Sequence, residues 1–130
     1  MTNQAANSND GKRRATFDLE ERTARFGEAI IAFCRNSPRN AITNPVVTQL
    51  VKAATSVGAN YGEANDAESK KDFCHKIGIC RKESKESKHF VRMIVAAAPE
   101  LRDAAKPLWQ EAKELNLIFG AILRSSKKPT

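Results

Sequence analysis

Two short spacings in this chain have the residue types for metal chemistry: Asp72-x-x-His75 and Glu86-x-x-His89. A carboxylate and an imidazole three residues apart share one face of a helix. Two such pairs on two helices, with two more inward carboxylates, hold a dinuclear metal centre in a helical bundle. Here the pairs are 14 residues apart on one helical segment, about 21 Å at 1.5 Å per residue, and both fall off its apolar seam. His75 and His89 are the two histidines of the chain, so a second helix cannot supply another. Cys74, His75 and Cys80 also fail as a zinc set, because tetrahedral coordination needs four converging ligands and Cys80 lies on the seam while Cys74 points elsewhere. No Ser-His-Asp arrangement with a buried base is in reach. Gly58 and Gly62 lack the strand-to-helix setting of a phosphate loop. No catalytic residue, metal or cofactor is expected, and the chain reads as a non-enzyme.

The chemistry that remains is charge neutralisation. The net charge is +7 over 130 residues, and the excess is unevenly placed. Residues 67–98 carry eight Lys/Arg against four Asp/Glu, and both ends of the chain are basic as well. At about 100° per residue, Arg81, Lys85, Lys88 and Arg92 form one helical stripe, with Lys82 and His89 beside it. Glu68, Asp72, Glu83 and Glu86 lie on another flank. Clustered cations can neutralise phosphates and release counterions, so Arg81, Lys82, Lys85, Lys88, Arg92, Arg124, Lys127 and Lys128 are the candidate nucleic-acid-binding residues. With one Trp and one Tyr there is no aromatic interleaving, and no base-stacking platform is expected. A helix basic on one flank and acidic on the other can also dock head-to-tail on a neighbouring copy, closing a ring if the rotation permits. The plainer alternative is a solvated surface whose local ion pairs contribute about 0.2–0.5 kcal/mol each.

The elements that must position these residues are all helical. Strand signals are absent, and apolar residues recur at steps of three and four in four segments. The first helix is expected from about Asp18 to Arg35, on the line Leu19, Thr23, Phe26, Ile30 and Phe33. The second starts with Asn44 as N-cap and Pro45 as first residue, then follows Val47, Leu50, Ala54, Val57 and Tyr61. Small residues at Ser56, Gly58 and Ala59 admit another helix closely. The third runs from about Ala67 to Ala98 on the seam Phe73, Ile77, Cys80, Ser84, Ser87, Val91, Ile94 and Ala98, with the two serines bonded back to carbonyls four residues earlier. Pro99 stops it. The fourth carries Leu101, Ala105, Leu108, Ala112, Leu115, Phe119 and Ile122. Pro107 is expected to split it into a short turn and a firm helix from Pro107 to Arg124.

This pattern predicts an all-α, antiparallel up-down four-helix bundle, one domain over residues 17–125. Residues 1–16 are expected to be an unstructured basic N-terminal tail and 126–130 a basic C-terminal one. No apolar run is long enough to span a bilayer. The polar N-terminus lacks the apolar stretch of a secretory signal, and three cysteines make no disulfide framework, so a cytoplasmic location and no membrane partner are expected. Cys34 and Trp109 read as packing residues, and Tyr61 as a continuation of the core.

Several of these residues also compose a family pattern. The second helix holds Ser56-x-x-Ala59-Asn60-x-x-Glu63-Ala64, the third holds Asp72-Phe73, then Lys82-Glu83 and Glu86, and Gln49-Leu50 and Glu111-Ala112-Lys113-Glu114-Leu115 complete it. From Asp18 to Lys128 the chain resembles the four-helix bundle proteins encoded in the 23S rRNA intervening sequences of bacteria. It departs where that family often has Tyr-Trp-Leu: here His89-Phe90-Val91 is followed by Arg92, which makes the face more basic. The resemblance implies a homopentameric ring, a link to RNA or DNA, and family-motif or interface roles for Asn60, Glu63, Asp72, Phe73, Glu83 and Glu86. Related bundles are accessory proteins of diversity-generating retroelements and associate with a reverse transcriptase and RNA, which implies a nucleic-acid-processing protein as a further partner. A scaffold that recruits a protein through the third helix, binding no nucleic acid, is the alternative from a different class.

Overall fold

The computed structural model describes the backbone of residues 8–127 and the side chains of 19–127. Four helices follow one another: α1 (Ser8–Arg35), α2 (Thr43–Asn65), α3 (Lys70–Ala97) and, after a single 3-10 turn at Pro99–Leu101, α4 (Arg102–Ser126). Each helix packs on its neighbours in sequence and α1 meets α4, while the diagonal pairs meet through core side chains only. With short connectors between them, this is an antiparallel up-down bundle. No strand occurs among the described residues.

The apolar lines converge as their spacing requires. Phe26, Ile30, Leu50, Val57, Ile77, Val91, Ile94, Leu115 and Phe119 are all buried, most of them completely. Full burial of such a side chain contributes about 1.5–3 kcal/mol. Tyr61 lies in the same core, its ring 6.1 Å from that of Phe119. The small groups in the middle of α3 are satisfied within their own helix. Ser84 Oγ donates to Cys80 O at 2.8 Å and Ser87 Oγ to Glu83 O at 2.7 Å. Their size lets α3 sit between α2 and α4 at close range. Gly58 does the same for α1, since a Cβ there would lie 3.5 Å from the backbone of Thr23 and Ala24.

Element boundaries differ from the sequence reading in four places. Helix α1 opens at Ser8 rather than near Asp18, so residues 8–16 of the expected tail are helical. No proline interrupts that stretch, and Lys12, Arg13, Arg14 and Ala15 are good helix formers. Residues 1–7 lie outside the described residues. Helix α2 opens at Thr43, preceded by Ile42, which offers no side-chain cap; the side chain that serves its leading N–H groups is that of Asn40 instead of Asn44. The Asn40 side-chain oxygen accepts from the backbone N–H groups of Ile42 and Thr43 at 2.9 and 3.0 Å, which places Pro45 in the first turn, where its missing N–H costs nothing. Helix α3 starts at Lys70, capped by Ser69, whose hydroxyl accepts from Asp72 N at 3.0 Å. Helix α4 runs unbroken through Pro107. Pro107 is the sixth residue of α4, so it leaves a single carbonyl, that of Asp103, without its helical donor.

Candidate nucleic-acid interface

Helices α3 and α4 run antiparallel side by side, and their outward rows of cations meet along the groove between them. At one end, Arg81 of α3 and Arg124 of α4 lie over the buried Gly120. A Cβ added at Gly120 would stand 3.4 Å from Arg124 Nη1 and 3.8 Å from Arg81 Nε. Neither arginine takes part in an ion pair among the described residues. Asn116 Nδ2 donates to the main-chain oxygen of Arg81 at 2.8 Å and fixes the two helices in register there. In the middle, the ammonium groups of Lys88 and Lys113 lie 5.5 and 5.6 Å from the ring centroid of Trp109. At the far end, Arg92 faces Arg102, Asp103 and Lys106 around a cleft of about 320 Å³. Arg81 to Arg92 spans about 17 Å of helix.

The acidic residues of α4 are held on its other side. Arg22 of α1 grips Glu111 through Nε and Nη2, both at 2.7 Å, and reaches Glu114 at 2.9 Å. These hydrogen bonds, led by the one to Glu111, hold the Arg22 guanidinium charged more firmly than usual. Hydrogen bonds from Gln110 and Arg22 keep the Glu114 carboxyl below its ordinary value. Two negative charges are thereby turned toward α1 and away from the α3–α4 groove.

A second cleft, of about 720 Å³, gathers charge of the opposite sign where α2 ends and α3 begins. Glu20, Glu63, Asp66, Glu68 and Asp72 line it, with Lys76 as the cation. Lys76 Nζ is 2.6 Å from Glu63 Oε1 and ties α3 to α2.

The expected site residues therefore separate into groups. The groove brings Arg81, Lys88, Arg92 and Arg124 together, and Lys85 is exposed on the same stripe. Lys82 is exposed but lies toward α2, where with Lys52 it moderates the charge of Glu83. Lys127 caps the end of α4, and Lys128 is outside the described residues. Glu63 and Asp72 share the acidic cleft. Asn60 is half-buried and bonds within its own helix, Nδ2 donating to Ser56 O at 2.9 Å. Phe73 packs on the core. Glu83 and Glu86 are half-buried neighbours, and the Glu83 carboxyl is raised above its ordinary 4.5, first by burial and then by Glu86. Arg102, Lys106 and Lys113 were not singled out from the sequence. Their signal was legible, since 102, 106, 109, 113, 116, 120 and 124 follow one face at steps of three and four. Which neighbour that face meets was not.

Burial pushes the thiols of Cys34 and Cys80 up to about 11 and about 12. Among the described residues, no three His, Cys, Asp or Glu side chains converge as metal ligands, and no helix is long and apolar enough to cross a membrane.

The fold defines an all-helical four-helix bundle, which carries a cationic groove on one side and an acidic cleft on another. Residues 16–121 match the family model of the 23S rRNA-intervening sequence protein. The chain is a member of that family. No curated protein matches it. Among solved structures it is similar to a protein of unknown function from the S23 ribosomal protein family of Bacteroides thetaiotaomicron VPI-5482. The two share 23% identity at a TM-score of 0.71, over 81% of this chain and 97% of that one, a likeness that concerns the fold.

Proposed function

We propose that this chain is a non-enzymatic binding bundle of the cytoplasm that engages RNA or DNA through the groove between α3 and α4. The observation that carries the reading is the convergence of Arg81 and Arg124 over Gly120. Two guanidinium groups held together without a carboxylate repel each other, and an anionic ligand removes that cost. Arg92, Lys88, Lys113, Lys106 and Arg102 extend the same potential along the groove. Binding of this kind rests on phosphate contacts and carries little sequence information.

The chain acts as a homo-oligomer, a pentamer by the family resemblance. The acidic cleft around Glu63 and Asp72 is separate from the basic groove, so a heterologous ring contact through the cleft would leave the groove open. A ring would repeat the groove five times and raise the local cation density accordingly.

Fluorescence-anisotropy titration of the nuclease-treated protein with a mixed-sequence RNA, at about 50 and 200 mM salt, tests the reading. Affinity is expected to fall about a hundredfold across that range. It should be lost when Arg81, Lys85, Lys88 and Arg92 become Glu in an oligomer that remains intact. Absence of binding at the lower salt would sink the nucleic-acid reading and leave a scaffold that recruits a protein through α3.

A further inference from the structure

We infer that the cleft at the α3–α4 end of the basic groove is a stacking subsite for an unpaired nucleobase, which makes single-stranded nucleic acid the preferred ligand. The inference rests on the reading of this face as a nucleic-acid surface and names the form that it takes.

The composition of the cleft separates it from the rest of the groove. Its floor is apolar: Val91 and Ala105 are buried, and Val95 and Trp109 are half-buried beside them. Its rim is cationic, with Arg92, Arg102 and Lys106. None of these cations, nor Lys88 or Lys113, takes part in an ion pair among the described residues. Phosphate reading needs cations alone and has no use for an indole in a recess. A nucleotide has what fits both parts, a flat ring with apolar faces joined to a phosphate of negative charge. Base–aromatic stacking accepts any base, because every base has a π-face.

Asp103 bears on the same choice. It is the carboxylate of this rim, where it opposes a phosphate but can accept from the N–H groups on a base edge. The two lysines over Trp109 do not block the ring. Lys113 is exposed and Lys88 half-buried, so their cation–π contacts are modest, and an ammonium displaced from the indole face has the phosphate of the incoming nucleotide beside it. A base paired inside a duplex cannot enter, since its faces are already stacked. An acidic amphipathic protein segment is the other class with matching charge. At about 320 Å³ the cleft is at the lower end of small-molecule sites, about 300–1,000 Å³, and is short for a helix that docks over several turns.

Trp109 is the chain's one tryptophan, so its emission reports on this cleft and on the Lys88 and Lys113 contacts beside it. The full chain is titrated with a mixed-sequence single-stranded RNA, with the duplex of the same sequence, and with an abasic ribose-phosphate oligomer of equal length. Anisotropy and tryptophan emission are followed in parallel. The single strand should quench Trp109 at the midpoint seen by anisotropy, while duplex and abasic oligomer bind about tenfold more weakly and leave the emission unchanged. Trp109→Leu, with helicity checked by circular dichroism, should lower single-strand affinity about tenfold and leave duplex binding as it was. Equal binding of all three ligands with no quenching would overturn the stacking subsite and leave the phosphate-reading groove standing. If no nucleic acid binds, both readings fall. Quenching by an acidic amphipathic peptide in that case would assign the cleft to a protein segment.

Discussion

Arg22 and Glu111 are joined by two parallel hydrogen bonds, Nε to Oε2 and Nη2 to Oε1, each 2.7 Å long, where the first helix meets the last. Packing between α1 and α4 is the thinnest in the bundle, so this fork closes the fold on a side with little apolar contact. Both side chains are about two-thirds shielded from solvent, at 35% and 28% exposure. Arg22→Ala should lower unfolding stability by about 1 kcal/mol, the upper end for ion pairs near the surface. Arg22→Lys should recover less than half of that, because a point charge cannot reproduce the fork. Thermal or urea denaturation measures both. No loss on Arg22→Ala would mean that the α1–α4 seam holds by packing alone.

Glu83 should be a site where removing a charge stabilises. Its carboxyl is raised above 4.5 by burial and by Glu86 one turn away. A folded-state value above the unfolded one contributes stability that is fully present below the unfolded value and is lost as pH rises through the folded one. Glu83→Gln should therefore gain about 0.2–0.5 kcal/mol at pH 7, the usual size of a like-charge helical pair. The gain should vanish at acid pH, where the Glu83 carboxyl is protonated in the folded and the unfolded state alike. Urea denaturation at pH 4 and pH 7 checks the sign. A destabilised variant at pH 7 would show that Lys52 and Lys82 outweigh burial and Glu86.

The thiols should divide by accessibility. Cys34 and Cys80 are buried, and burial raises them to about 11 and about 12. Cys74 is partly exposed. At pH 8 an aromatic disulfide reagent should titrate one thiol quickly and the other two only after denaturation, since the thiolate is the reactive form. Cys74→Ser should remove the fast phase. Two fast thiols in the native protein would contradict the burial of Cys80 in the seam.

The buried serines of α3 serve by their small size. Ser84 is completely buried and bonds only within its own helix, to Cys80 O. Ser84→Ala keeps the volume, removes a polar group and improves helix propensity, so stability should rise by about 0.5 kcal/mol. Ser84→Leu should cost about 1–3 kcal/mol through overpacking. Denaturant midpoints decide, and a loss above 1 kcal/mol for the alanine variant would show that the hydroxyl has a structural role.

The four helices and most of their buried faces were legible because they are local. Steps of three and four placed Phe26, Ile30, Leu50, Ile77, Val91, Leu115 and Phe119 on inward stripes, and all are buried. Errors gathered at the ends. Asn44 and Asn40 carry the same capping chemistry four residues apart, and the loop geometry that favours Asn40, with Thr43 Oγ1 donating to Pro38 O, is not written in either residue. Pro107 was over-weighted because its lost hydrogen bond and the crowding of its ring against the Asp103 carbonyl fall near the start of the helix, where the packing of the rest of α4 outweighs them.

Residue types and spacing by themselves determined the class of fold, the inward stripes of its core and the stripe of cations on α3, because helix periodicity depends only on neighbours in the chain. Tertiary structure alone decided which faces meet across helices. Only there do Arg124 join Arg81 over Gly120, Lys113 share Trp109 with Lys88, and Glu111 turn to Arg22 rather than toward the groove. Each of these pairs joins two different helices, and Arg22 and Glu111 are 89 residues apart. Their meeting depends on the rotation of each helix about its axis, which is set by the summed packing of the core and by no local signal.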